Sequence, residues 1–165
     1  VIGSDDIDWI VSRPSYIETA FNKTMTDSGF EPYEAQSVAF QSGGEFDLDA
    51  FEEEFGTANN ISTETRGFAE QFLKRAGVKY FIVGTIDVGA KNNDPVSGQV
   101  KVVVSVSAKV SDVSGLFSKS VASVGPVTLS AIGIDQDTAK KNALVVAAER
   151  AADEIVASLQ AKGIN

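Results

Sequence analysis

Residues 100–110 read VKVVVSVSAKV, and the alternation in this stretch decides the fold class. Successive side chains of a β-strand point to opposite faces, so an apolar residue at every second position predicts a strand with one buried face. The opposite face carries mainly lysine and serine, which suit contact with solvent. The apolar face of this predicted strand consists of Val100, Val102, Val104, Val106, Ala108 and Val110.

Runs on either side of this strand extend the predicted sheet. Residues 79–88, KYFIVGTIDV, form a nearly continuous apolar run, which is typical of a central strand covered on both faces. A hairpin turn precedes residues 116–124, which are predicted to form a strand that pairs with residues 100–110. A Gly-Pro pair is predicted to end this strand, and residues 127–132 add a short extended piece. The connections are too short for crossovers, so the sequence predicts an antiparallel meander.

Helical spacing is found before and after this meander. Residues 14–28, 47–55 and 62–76 carry apolar side chains three or four positions apart, which predicts three helices. Residues 30–40 are a strand candidate that Pro32 interrupts. A long Ala-rich helix closes the chain, and its predicted buried stripe consists of Ala139, Ala143, Leu144, Ala147, Ala151, Ile155 and Leu159.

The order of these elements predicts one α/β (α+β) domain over residues 1–165, with helices packed on a mixed, partly antiparallel sheet. Its C-terminal part is a three-strand meander followed by the long Ala-rich helix. Residues 1–12 mix apolar and acidic side chains, and we expect an N-terminal arm or an edge strand there. Neither a linker nor an internal repeat is visible.

Composition excludes several classes of chemistry. The 165 residues include no cysteine and no histidine, which removes disulfides, thiol nucleophiles, Ser-His-Asp triads and nearly all zinc sites. The net charge is −9, and residues 1–60 alone hold 13 acidic against 2 basic groups, so we expect no nucleic-acid partner. No apolar run approaches the roughly 20 residues of a membrane helix, so we expect no membrane span.

Carboxylates are the only plentiful titratable groups. Glu52, Glu53 and Glu54 are adjacent, but helical geometry makes them fan out instead of converging on one point. A pair of carboxylates supports acid–base hydrolysis when it lies in a deep pocket, and the sequence indicates no such pocket. We therefore expect no enzyme and no cofactor, and a carboxylate-dependent hydrolase remains an alternative.

Oxygen ligands for calcium cluster at two places. One is the loop at residues 91–98, with Asn92, Asn93 and Asp94, and the other is Asp135 with Asp137. Neither has the spacing of an EF-hand. A hairpin turn explains the first group and a helix N-cap the second, so we predict no metal site and keep a small-ligand or Ca²⁺-binding module as an alternative.

Two features are candidate partner contacts. Trp9 is the only tryptophan, and an exposed tryptophan is a frequent hot spot of protein interfaces. The acidic group Glu52, Glu53 and Glu54 is the other candidate. A second copy of the chain is a further possible partner, because the long alternating strand would allow edge pairing.

Three segments resemble bacterial envelope-assembly domains. They are AGVKYFIVGTIDVG at residues 76–89, VSVSAKVSDVSG at residues 104–115 and AKKNALVVAAERAADEIVASL at residues 139–159. The pattern is similar to that of the curli secretion lipoprotein (CsgG-like) family, the TolB amino-terminal domain and the flagellar assembly protein T. The matching positions are Ala76, Lys79, Tyr80, Gly84, Asp112, Val113, Gly115, Ala143, Leu144, Ala147, Ala148, Ala151 and Ala152.

This resemblance implies an α/β domain in the periplasm or cell envelope that serves transport, secretion or appendage assembly. The matching positions are structural, and none is catalytic. The chain departs from the curli channel because it has no lipidated cysteine and no channel-forming hairpins. We therefore expect an accessory or scaffold domain of an envelope protein or outer-membrane lipoprotein, with any lipid anchor outside this segment, that binds protein partners.

Overall fold

A computed structural model of the chain describes residues 2–3, 9–10, 15–58 and 61–164, of which residues 2–3, 9–10, 15 and 55–58 are described by their backbone alone. In that part of the chain, one five-stranded sheet is flanked by helices. The elements are β1 (Ile2–Gly3), β2 (Trp9–Ile10), α1 (Ser15–Asp27), α2 (Ala35–Ser42), α3 (Leu48–Ala58), α4 (Thr63–Arg75), β3 (Tyr80–Asn93), β4 (Val100–Asp112), β5 (Lys119–Gly133) and α5 (Gln136–Gln160).

The sheet is mixed, in the order β2-β1-β3-β4-β5. The predicted meander is confirmed: β3, β4 and β5 are antiparallel, with Val104 opposite Val88 on one side and Leu129 on the other. The short strand β1 runs parallel to β3, with Ile2 opposite Ile86. The predicted fold class, a partly antiparallel sheet with helices packed on it, is therefore correct.

Strand β4 and helix α5 form the centre of the core. The alternate β4 residues from Val102 to Val110 are buried, as their spacing predicts, and α5 and α1 cover that face. Each large buried aliphatic side chain stabilises the fold by about 1.5–3 kcal/mol. The Ala-rich stripe of α5 is buried throughout, because small side chains let the helix approach the sheet closely.

A second helical layer covers the opposite face of β3. Phe81 points away from α5, since its neighbour Ile82 packs on the α5 side and successive strand residues face opposite ways. The centre of the Phe81 ring lies 5.8 Å from the centre of the Phe46 ring and 5.9 Å from that of Phe51. The ring centres of Phe46 and Phe51 are 5.5 Å apart. Helices α2, α3 and α4 gather around this aromatic cluster of Phe46, Phe51 and Phe81.

The strand predicted at residues 30–40 is wrong, because residues 35–42 form helix α2. Ala35, Val38 and Ala39 follow helical spacing and pack on the aromatic cluster, whereas Phe40, which alternation would also have turned inward, is 90% exposed. Gly43, in the left-handed conformation with φ of 65°, ends the helix.

The break predicted at Gly125 and Pro126 is also wrong, because β5 continues through both residues. Strand β5 is an edge strand, and the register shifts opposite this point, between Val106 and Ala108. A proline is tolerated at such a position because an edge strand has one side without ladder bonds. Strand β3 is likewise longer than predicted and reaches Asn93.

Candidate functional site

A groove lies beside the first half of β3. Strand β1 pairs with β3 opposite Ile86 and Asp87, and the preceding residues 80–85 of β3 lie beside a cavity of about 750 Å³. We call this cavity the β3 groove; its large apolar lining side chains include Phe21, Met25, Phe30, Phe46, Phe81 and Ile82.

Each wall of the β3 groove comes from a different helical layer. Ile17, Phe21 and Met25 lie on one face of α1, four residues apart, and form the wall on the α5 side of the sheet. Val38 of α2 and Leu48 of α3, with the aromatic cluster behind them, form the opposite wall. The groove therefore lies between two packed layers, and one side of its lining is formed by small residues of α5.

The turn between α1 and α2 sets the two walls apart. Gly29, with φ of 90°, ends α1, and the amide of Phe30 donates a hydrogen bond of 3.1 Å to the carbonyl of Met25. The chain then crosses the mouth of the groove, and Tyr33 is 72% exposed at its rim. The first amide of α2, from Ala35, donates to the Glu18 carboxylate of α1 over 3.3 Å, which joins the walls.

The charged side chains that line the β3 groove are mainly acidic. Glu18, Glu31 and Glu52 are carboxylates, and Lys79 carries the one positive charge among the described lining residues. The Lys79 ammonium lies 5.1 Å from the centre of the Tyr80 ring, and a hydrogen bond with the Tyr80 side chain raises the pKa of Lys79. The groove therefore offers an apolar interior with a net negative rim.

The three glutamates predicted as partner contacts point in different directions on α3. Glu52 lines the β3 groove and Glu53 is exposed on α3. Glu54 turns toward α4, where it accepts hydrogen bonds from the Ser62 amide at 2.6 Å and from the Thr65 hydroxyl. These bonds, that from Thr65 above all, lower the pKa of Glu54.

Glu54 is therefore a link between α3 and α4. The three glutamates fan out as helical geometry predicts, and their role as a partner contact stays a prediction. The backbone of Trp9 lies in β2, opposite Gly3 of β1. Its side chain lies outside the described part of the structure, so its role stays a prediction.

Both candidate calcium clusters have local structural roles. Asp94 accepts hydrogen bonds from the amide and hydroxyl of Ser97, at 2.8 and 2.6 Å, within the turn between β3 and β4. Asp135 caps α5 by accepting the Thr138 amide at 2.8 Å. Among the described residues, no group of three or more acidic side chains is arranged to hold a metal ion.

Sequence reasoning singled out none of the large apolar side chains that line the β3 groove as site residues. Periodicity marks Phe21 and Phe81 as inward-facing, but it does not tell whether another element covers them. The signal in the sequence that could have pointed here is Gly84, which interrupts the apolar run of β3. Gly84 is exposed in the middle of that strand, where a Cβ would lie only 3.2 Å from the Ser107 carbonyl oxygen.

Within the described residues, the helices are too short or too polar to span a lipid bilayer. Comparison of the chain with protein-family models, with curated proteins and with solved structures gives no match.

Proposed function

We propose that this chain is a non-enzymatic interaction domain of a bacterial envelope assembly or transport system, and that it holds an apolar segment of a protein partner in the β3 groove. The observation that carries the binding part is the groove itself, a large apolar cleft between two helical layers. Its volume lies within the roughly 300–1,000 Å³ of typical binding sites.

The chemistry of the lining favours binding over catalysis. Phe21, Phe46 and Phe81 offer broad apolar contact, and such aromatic side chains are enriched at protein interfaces. The Glu18 carboxylate already accepts a backbone amide, so it serves the fold. The envelope location rests on the resemblance in β3, β4 and α5 alone.

A photoreactive phenylalanine analogue in place of Tyr33 tests this function. Tyr33 stands at the rim of the β3 groove, and Phe40 is also highly exposed but does not line it, so the same analogue at position 40 is the matched control. In cells that make the protein, we expect irradiation to join position 33, but not position 40, to an apolar segment of an envelope protein. The same products from both positions, or a protein found in the cytoplasmic fraction, would contradict the proposal.

A small apolar ligand is the second candidate occupant, which the buried residues Ala148 and Ala151 in the lining of the groove favour. Native mass spectrometry of the purified protein separates the two candidates. A bound mass of a few hundred daltons that is lost on denaturation would indicate a small ligand. Its absence, together with the crosslink at position 33, would favour the protein segment.

A further inference from the structure

The turn between β4 and β5 exposes two large apolar side chains next to each other. Leu116 is 85% exposed and Phe117 is 76% exposed. Their neighbours Gly115 and Ser118 are also exposed, so both apolar side chains project from a small polar turn. We call residues 113–118 the hairpin tip. Contact of this apolar surface with water is unfavourable, so the hairpin tip gains free energy from a surface that covers it.

Contacts at its base hold the hairpin tip in place. Val113 is buried, and its amide donates a hydrogen bond of 2.9 Å to the carbonyl of Lys79. The Asp112 carboxylate accepts hydrogen bonds from the amide and the hydroxyl of Ser114, at 2.9 and 2.6 Å. These polar groups of the turn already have partners within the protein, which lowers the cost of moving the turn out of water.

Lysines from three parts of the chain surround the hairpin tip. Lys74 of α4 donates to the carbonyl of Gly115 over 2.8 Å. Lys119 is the first residue of β5 and follows the tip directly. Lys162, just after α5, donates to the carbonyl of Val121 in β5. The net charge of the chain is −9, so this end of the sheet is a local concentration of positive charge beside an exposed apolar pair.

The nearby carboxylates do not cancel this positive charge. Hydrogen bonds from Ser114, that from its hydroxyl first, lower the pKa of Asp112, and the charges of the two lysines beside it lower that pKa further. Glu45 forms an ion pair with Arg75. Glu31 lines the β3 groove, whose lining does not include the hairpin tip. The lysines around the tip therefore exceed the one carboxylate that contacts it.

We propose that the hairpin tip docks on an anionic membrane surface. The side chains of Leu116 and Phe117 enter the boundary between lipid headgroups and acyl chains, and the surrounding lysines contact lipid phosphates. The tip lies on the surface of the bilayer and does not span it. This inference goes beyond the proposed function, because it concerns a surface separate from the β3 groove.

A lipid surface matches the hairpin tip better than a protein partner does. A stable protein interface buries roughly 800 Å² on each side with complementary shape, whereas the tip offers two apolar side chains on a narrow, polar turn. A bilayer accepts projecting side chains without a matching pocket. Lysine side chains are long and keep their charge in the headgroup region while their stems cover apolar surface.

Co-flotation of the purified full chain with lipid vesicles tests this docking. One set of vesicles consists of phosphatidylcholine, and the other contains phosphatidylglycerol as well, which adds negative charge. We expect the chain to bind the anionic vesicles about tenfold more tightly than the neutral ones, and we expect added sodium chloride to reduce this difference.

Two double variants separate the hairpin tip from apolar exposure elsewhere. Leu116→Ser with Phe117→Ser removes the apolar pair of the tip. Val96→Ser with Ile134→Ser is the matched control, because these side chains are 94% and 80% exposed at the opposite end of the sheet. We expect the tip variant to bind anionic vesicles about tenfold more weakly than the wild type and the control to bind as the wild type does. Circular dichroism checks that both variants are folded.

Tryptophan fluorescence reports insertion without removing the apolar pair. Phe117→Trp places an indole in the hairpin tip, and Val96→Trp places one at the opposite end of the sheet. Trp9 is present in both proteins, so the difference between their spectra belongs to the new indole. We expect anionic vesicles to shift the emission of Phe117→Trp to shorter wavelength and to leave that of Val96→Trp unchanged.

Four results would overturn membrane docking. They are absence of binding to anionic vesicles, equal binding to both kinds of vesicle, equal loss of binding in the two double variants, and a photoreactive analogue at position 117 that joins a protein instead of lipid in cells. None of them changes the outcome expected for the crosslink at position 33. The proposed function and the membrane docking of the hairpin tip are therefore tested independently.

Discussion

Glu18 of α1 accepts a hydrogen bond from the backbone amide of Ala35, the first residue of α2, over 3.3 Å. The two residues belong to opposite walls of the β3 groove. The contact satisfies one of the amides that every helix leaves unpaired at its N-terminus, a task that usually falls to a side chain from the residue just before the helix. One carboxylate therefore caps α2 and fixes the width of the groove at this end.

We expect Glu18→Ala to loosen α2 without unfolding the domain. Loss of one backbone hydrogen bond to a carboxylate costs about 1 kcal/mol, which corresponds to a roughly fivefold faster hydrogen exchange in α2. Glu34→Ala is the matched control, because Glu34 precedes α2 directly but its side chain makes no capping bond. Equal exchange rates in α2 for the wild type and Glu18→Ala would contradict this role.

The aromatic cluster should hold the second helical layer on the sheet. Phe51 is 7% exposed and contacts both Phe46 and Phe81, yet it does not line the β3 groove. We expect Phe51→Ala to lower the free energy of unfolding by about 3–5 kcal/mol, because it removes a buried ring and leaves a cavity. Denaturant titration measures this value, and Phe40→Ala, which changes an exposed ring, should alter it by less than about 0.5 kcal/mol.

Local pattern was sufficient to predict the sheet centre and α5. The alternation from Val102 to Val110 is found again in the burial of these side chains, because one face of β4 is covered and the other is partly open. A period of two in apolar residues predicts this arrangement of a strand. The small side chains of α5 likewise reported a close contact with the sheet. Both elements are long, so their periods are well defined.

Helix α2 and the β3 groove could not be predicted in the same way. Helix α2 has eight residues, too few for its period to be distinguished from a strand, and its start depends on Glu18, which lies 17 positions earlier. The groove lies between two helical layers that stand on opposite faces of β3. These are relationships between distant segments, and periodicity within one segment does not contain them.

Gly125 of β5 should be harder to replace than Gly98, which lies in the turn between β3 and β4. Its φ is 87°, and a Cβ there would overlap the carbonyl oxygen of Val106 and press on Ser107. Gly98 has a similar φ of 70° but open space around it, so it carries only the cost of the left-handed conformation. We expect Gly98→Ala to lower the free energy of unfolding by about 1–2 kcal/mol and Gly125→Ala by about 1–3 kcal/mol more.

Equal losses for the two variants in the same denaturant titration would contradict this account. They would mean that β5 can move away from β4 at this position without cost. The register of β4 and β5 already shifts between Val106 and Ala108, where Gly125 approaches β4. We therefore expect that β5 cannot move farther from β4 at this position without a cost.

The cap of α5 should make the domain sensitive to acid. Hydrogen bonds from Thr138, that from its backbone amide first, lower the pKa of Asp135 below its usual value of 3.8. A carboxylate with a lowered pKa in the folded state stabilises the protein above its unfolded pKa, and that contribution is lost as pH falls through the folded value. Asparagine also caps helices but does not titrate in this range. We therefore expect the wild type to lose more stability than Asp135→Asn as pH falls from about 5 to 2. Thermal unfolding at a series of pH values measures this loss. If the unfolding temperatures of the two proteins fall in parallel with pH, the charge of Asp135 has no part in holding α5.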